Sequence, residues 1–384
     1  MGHEPLVIVP PSLEPAVKRT GLSYVVGDEP PSSVVEEVWN KVRTGPLDAV
    51  GGLIDRELFA DRCTQAMLAS ARAVRDSWRP DLIVREPCEH ASAIVAHEAG
   101  IAQVEVGISL AAIERGVLEM VTPIIERFCP GVATAIAAAP YLASLPASLD
   151  PSPWPDTRRS RAPQRAARPL PDWWRGSDRP LVYMTFGSVI GHLPEATGVY
   201  GMALDAVSGL AARVLLTVGR AMDPGRGGPV PDNTHVEQWV PQSDVLTHAA
   251  VVVCHGGSGT TFGALAAGVP LVICPLFADQ SMNGRLWRRR GAGLSSADAT
   301  LPLASCEASA GPMSRRCAMP SSVSLASPPT AQQPTRSRPN SPLSRNSTSS
   351  LSTWPDATSF PDPPRAGGCR ASPSSRQTRA AVVL

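Results

Sequence analysis

The chain has 384 residues and a formal net charge of +1, which leaves room for two domains of ordinary size. It gives no electrostatic reason to invoke nucleic acid or a membrane surface. No run approaches the roughly 18 apolar residues of a membrane span, and the N-terminus lacks a signal-peptide layout. The eight cysteines lack CxxC or CxxH spacing, which points to a soluble cytoplasmic protein with reduced thiols rather than a zinc site or a disulfide framework. Lys18 and Lys41 are the sole lysines. With heavy Ala, Gly and Pro usage, this is the composition that a GC-rich coding sequence produces.

In chain order, Leu6 to Val9 reads as a strand and Leu13 to Arg19 as a short helix ending at Gly21. Residues 33 to 78 carry helical periodicity, with Val34, Val35, Val38 and Val42, then Leu53, Ile54, Leu58, Met67 and Leu68, on apolar faces. Leu82 to Val84 is a second strand, Ala91 to Gly100 a helix, and Gln103 to Val106 a third strand. This alternation predicts a parallel α/β domain over 1–150. Residues 151–180 are rich in Pro and Arg without apolar period and read as a linker. A second α/β set opens at Leu181 to Phe186 with a Gly187-Ser188 turn, continues through Val214 to Val218 and His235 to Trp239, and fades near Gly293, giving a domain over 181–300. Residues 301–384 are Ser-, Pro- and Arg-rich without helical or strand period, a disorder-type composition. They read as the product of a shifted reading frame, with a natural disordered tail as the alternative.

The most informative stretch runs from Trp239 to Gln280. Two apolar runs, Ala249 to Cys254 and Val269 to Cys274, have the length and β-branched content of buried parallel strands. Between them, His255-Gly256-Gly257-Ser258-Gly259-Thr260 forms a Gly-rich turn opening a helix. Such a loop sets backbone N–H groups and a helix N-terminus against a diphosphate. Trp239 offers a flat face to a nucleobase, and Asp279-Gln280 offer groups suited to sugar hydroxyls.

This segment resembles the donor-binding signature of nucleotide-sugar-dependent glycosyltransferases built from two facing Rossmann-like domains (the GT-B fold). It is most similar to bacterial enzymes that glycosylate macrolides, glycopeptides and related secondary metabolites. Trp239, Pro241, Gln242, His255, Gly257, Gly268, Pro270, Pro275, Asp279 and Gln280 fall in that family's order. The resemblance implies an inverting transfer of a hexose from a UDP- or dTDP-sugar to a hydroxyl of a small-molecule aglycone. It implies no metal, and no Asp-x-Asp motif occurs. It assigns the diphosphate to His255, Gly257, Ser258, Gly259 and Thr260, with Ser188 facing it from the other side. It assigns base stacking to Trp239, donor binding to Gln242, and the hexose hydroxyls to Asp279 and Gln280. Plain structural roles stand beside these: a strand-end turn at Ser188, a core aromatic at Trp239, a solvated loop at 279–280. Gly263 stands where plant relatives carry a ribose-binding glutamate, which tilts the donor toward thymidine. His248 reads as structural.

Two departures stand out. The family's opening strand, histidine-bearing loop and helix precede a Gly-His-Glu turn, and here Gly2-His3-Glu4 follow Met1 directly. The catalytic base therefore has no counterpart, and the N-terminal domain is expected to lack its first strand and helix, leaving sheet edges exposed. Glu86 matches the acid that orients that base, with Arg85 beside it as a competing ion-pair partner. The family's closing helices, which return to the N-terminal domain, have no counterpart after about Thr300. An inactive remnant, or a relative that binds the nucleotide sugar without turnover, is the alternative reading.

Overall fold

The computed structural model describes residues 2–44, 52–160, 166–192, 196–276, 279–295 and 378–383. The first half alternates strands and helices: β1 (His3–Val9), α1 (Glu14–Lys18), β2 (Tyr24–Val26), α2 (Ser32–Thr44), a π-helical segment Ile54–Cys63 running into α3 (Thr64–Trp78), β3 (Leu82–Arg85), α4 (Ala91–Ala99), β4 (Ala102–Val106), α5 (Ala111–Ile125), α6 (Val132–Ala138), β5 (Tyr141–Ala143) and β6 (Thr157–Arg159). The second half holds β7 (Leu181–Thr185), α7 (Ala196–Val207), β8 (Arg213–Thr217), β9 (Thr234–Glu237), α8 (Gln242–Leu246), β10 (Ala249–Cys254), α9 (Ser258–Ala267), β11 (Leu271–Ile273), α10 (Gln280–Arg289) and β12 (Gly293–Ser295). A last strand, β13, spans Thr378–Val383.

Local chemistry explains most of these boundaries. In α3, Met67, Ala71 and Val74 recur at helical spacing and are buried. α4 and α9 each stop at a glycine in the left-handed region, Gly100 and Gly268, where a Cβ would be strained. β7 is buried at every residue, as a central parallel strand requires.

Two parallel sheets result. The second has the order β12-β11-β10-β7-β8-β9 and the first the order β2-β1-β13-β3-β4-β5-β6. Thr157–Arg159, inside the stretch read as a linker, is the edge strand of the first sheet. The apolar interior of the second domain also takes in Leu110 and Leu145 from the first, packed in the cluster that holds Trp287. Among the described residues no helix is long and apolar enough to cross a membrane.

The position of β13 corrects two expectations. Residues 378–383 are not a structureless tail; they form an ordered strand in the first sheet. The sheet also shows no gap beside β1, because β13 pairs in parallel with β1 on one side and β3 on the other. The register runs Ala380↔Pro5 and Val383↔Ile8 with β1, and Ala380↔Leu82 and Val383↔Arg85 with β3. The rest of the stretch read as a frameshift product, 301–377 and 384, lies outside the described residues, as does the end of the second domain at 296–300.

Candidate active site

Parallel strands deliver their C-terminal ends to a rim, and the turns that follow them hold predicted residues together with others that the sequence did not single out. Glu86 follows β3, Ser109 follows β4, Ser188 follows β7, Arg220 follows β8, and His255 to Gly257 follow β10.

The glycine loop is built around His255. Gly257 is the N-cap of α9, in extended conformation and with no side-chain cap, so the first N–H groups of the helix have no partner within it. A Cβ on Gly187, whose φ is +80°, would lie 2.8 Å from His255 Nε2, and one on Gly257 would lie closer still. The imidazole thus fills the space those two glycines leave. Its Nδ1 is buried without a hydrogen-bond partner. Burial pulls the His255 pKa down to about 4, against the opposing pull of Asp279 and the Thr185 carbonyl. The ring is therefore neutral at physiological pH and offers a hydrogen bond rather than a full charge.

Ser258 and Asp279 belong to an interdomain network. Asp279 Oδ2 accepts from Ser109 Oγ at 2.6 Å, Ser258 Oγ at 3.1 Å and Asn283 Nδ2 at 3.0 Å. Ser258 Oγ also donates to Ser109 Oγ at 3.0 Å. Gln280 is buried, and its Oε1 accepts from Leu276 N at 2.8 Å, so part of its amide is committed to the preceding turn. Asp55, on the π-helical segment of the first domain, has its pKa raised by burial and then by the charge of Asp279.

Trp239 is 50% exposed, with the Arg220 guanidinium 4.9 Å from its ring centroid. A half-exposed indole is not a core residue. Gln242 Nε2 donates to the Thr260 carbonyl at 3.4 Å, and a Cβ on Gly263 would sit 3.2 Å from Gln242 Oε1. Gln242 thus lies over the helix position where plant relatives place their glutamate. His248 is exposed beyond α8.

On the first-domain side, Glu86 is free of the ion pair that Arg85 threatened. The Arg85 guanidinium forms a short contact with Glu105, bonds Gln103 Oε1 at 3.1 Å, and reaches the carbonyls of Glu86 and Glu89 at 3.2 and 3.4 Å. Glu86 Oε2 accepts from Cys88 N at 2.8 Å. His90 is 3% exposed, and burial pulls its pKa down to about 3, so it cannot serve as a proton acceptor at the rim. His3 lies at the start of β1, the end of the strand opposite the rim.

Four of these residues escaped the sequence: Ser109, Arg220, Asn283 and Asp55. Ser109, Arg220 and Asp55 stand far from the donor motif in sequence or in another element, whereas Asn283 lies one helical turn beyond Asp279 and bonds it there.

Burial pushes the Glu86 and Glu114 pKa values up to about 7. Each then favours the folded state below the ordinary carboxyl value of 4.5, and that contribution is lost as pH rises through 7. His255 and His90 act in reverse, favouring the folded state above 6.5, with the loss coming as pH falls toward 4 and 3. Glu86→Gln is therefore expected to flatten the decline of the urea midpoint between pH 5 and pH 8. An unchanged slope would place the Glu86 carboxyl in water.

A family model described as "UDP-glucoronosyl and UDP-glucosyl transferase" matches residues 171–307. One described as "Erythromycin biosynthesis protein CIII-like, N-terminal domain" matches residues 52–149. An L-demethylnoviosyl transferase of Streptomyces niveus is 30% identical over 305 residues, 77% of this chain and 78% of its own. The elloramycin glycosyltransferase of Streptomyces olivaceus is 35% identical over 240 residues, 61% of this chain and 62% of its own. The crystal structure of a glycosyltransferase from Streptomyces sp. SF2575, complexed with thymidine diphosphate, is similar with a TM-score of 0.55 at 21% identity, covering 76% of this chain and 88% of that one. The chain belongs to the two-domain nucleotide-sugar-dependent glycosyltransferases.

Proposed function

We propose that the second domain binds a thymidine- or uridine-diphosphate hexose and that the enzyme moves the hexose, with inversion, to a hydroxyl of a small secondary-metabolite aglycone held by the first domain. The observation that carries this reading is the loop at Gly187 and His255 to Thr260: a neutral imidazole between two glycines, beside an uncapped helix start. In this reading Gly257, Ser258, Gly259 and Thr260 cradle the diphosphate, with Ser188 across from them. Trp239 stacks the base, Gln242 meets the ribose, and Asp279 and Gln280 hold hexose hydroxyls. Charge developing on the departing nucleotide is met by the α9 dipole, backbone N–H groups and His255, with no metal. The relative solved with thymidine diphosphate and the glycine at position 263 favour the thymidine nucleotide. The work is that of a soluble cytoplasmic enzyme on small molecules.

A specific observation favours a second reading, nucleotide-sugar binding without turnover. The histidines of the first domain are placed away from base duty: His3 at the far end of β1, His90 sealed in the interior, His97 in the last turn of α4. One assay decides. The chain is incubated with dTDP- and UDP-glucose and a polyketide phenol, product is followed by mass, and the anomeric configuration is read by NMR. A β-glucoside supports inverting transfer; donor binding by calorimetry without product supports the second reading.

A further inference from the structure

The gap between β1 and β3 is two strand spacings wide, about 9.6 Å, too far for those strands to bond each other. Each would present an unpaired inner ladder to the other across it. β13 fills this gap with a segment that follows a long connection, and its fit is specific at both ends. At its start, Arg379 N donates to Asp81 Oδ2 at 2.9 Å, and Asp81 N returns a bond to the Arg379 carbonyl at 2.8 Å. The guanidinium reaches Glu4 Oε2 at 3.3 Å and the Trp78 carbonyl at 3.1 Å, and lies 5.9 Å from the Trp78 ring centroid. Farther along, side chains alternate between the two faces of the sheet. Ala381 is 2% exposed among Ala71, Ile83, Val95 and Ala96. Val383 is 1% exposed with Ile8, Met67, Val74 and Ala91. Val382 turns the other way and packs against the cluster of Val7, Val9 and Val17. A one-residue slip would exchange these faces and carry Arg379 away from Asp81 and Glu4.

We propose that the gap between β1 and β3 is a strand-accepting site whose occupant is the segment Thr378–Val383 of the same chain, held in the parallel register that Arg379 sets. The site recognises a short parallel strand with arginine at its second position, a small residue at its fourth and a β-branched residue at its sixth. Because β13 ends alongside Arg85, the residue before Glu86, the occupant also buttresses the rim turn on that strand. The proposal concerns sheet assembly and stands whether or not the chain transfers sugar.

The test is hydrogen exchange on the full-length chain. Amides 380–383 are expected to be protected to within about tenfold of amides 6–9 and 82–85, since the three strands open together. Exchange of 380–383 at the rate of an unstructured peptide, with β1 or β3 protected, would overturn the proposal. The full-length Ala381→Asp, Val383→Asp variant adds a second reading. It should lose protection in β1 and β3, and a synthetic Gln377–Leu384 peptide should restore it, whereas the same peptide carrying both aspartates should not. Protection of β1 and β3 that the variant leaves intact would also overturn the proposal. Should the variant fail to fold, the wild-type exchange pattern decides alone.

Discussion

Replacing Glu105 with alanine is expected to destabilise the chain by about 3–5 kcal/mol, the cost of stranding a buried charge. Arg85 and Glu105 are 1% and 2% exposed, and the guanidinium has no water to fall back on once its carboxylate is gone. The remaining partners, Gln103 Oε1 and the carbonyls of Glu86 and Glu89, carry no full charge to offset it. Denaturant unfolding of the variant checks the size of the effect. The paired change Arg85→Met, Glu105→Leu should recover most of the loss, because two apolar groups of similar volume leave no charge behind. A loss below about 1 kcal/mol in the single variant would mean that water reaches the pair. The same guanidinium ties down the Glu86–Glu89 turn, so Glu105→Ala should also loosen the rim that carries Glu86.

His255→Ala should weaken binding of thymidine diphosphate by roughly 10- to 150-fold, the equivalent of one hydrogen bond to a charged group at about 1.5–3 kcal/mol. The loss is expected because the ring packs against Gly187 and against Gly257, the uncapped start of α9, with its Nδ1 left without a partner. Being neutral down to about pH 4, this imidazole should give an affinity that its own titration leaves unchanged between pH 8 and pH 5.5. Calorimetry across that range checks both statements. An affinity equal to that of the unmodified chain would remove His255 from the phosphate site. A steep rise of affinity below pH 6.5, absent in the variant, would show the ring charging on binding.

Those two expectations differ in how far the sequence foreshadowed them. The loop at His255 could be read directly, since Ala249 to Ile273 is one contiguous β-loop-α-β unit. Its strands announce themselves as apolar runs, and its helix start as glycines beside Ser and Thr. The Arg85–Glu105 pair could not be read, because Arg85 stands next to Glu86 and nothing local shows that it turns instead to the neighbouring strand β4. Asp279 behaves likewise. Its place in the donor motif was evident, but its bonds to Ser109, 170 residues away in sequence, depend on how the domains meet.

The sequence by itself determined the fold class, the order of most strands and helices, and the β-loop-α-β unit at His255. Burial period, glycine placement and motif spacing are local properties that any short window of chain displays. Tertiary structure alone decided the first sheet. Thr378–Val383 is a six-residue stretch whose apolar run is no longer than many coil segments, set behind a Ser- and Pro-rich region. Nothing in its own pattern tells a parallel strand from a chain end. It becomes a central strand because β1 and β3, which face the same β13 residue through Pro5 and Leu82 at Ala380, each leave a ladder unpaired without it. Arg379 then finds Asp81, Glu4 and Trp78 arranged to fix its register. Pairing of that kind is a property of the assembled edges rather than of any window of the chain, and so it appears only in three dimensions.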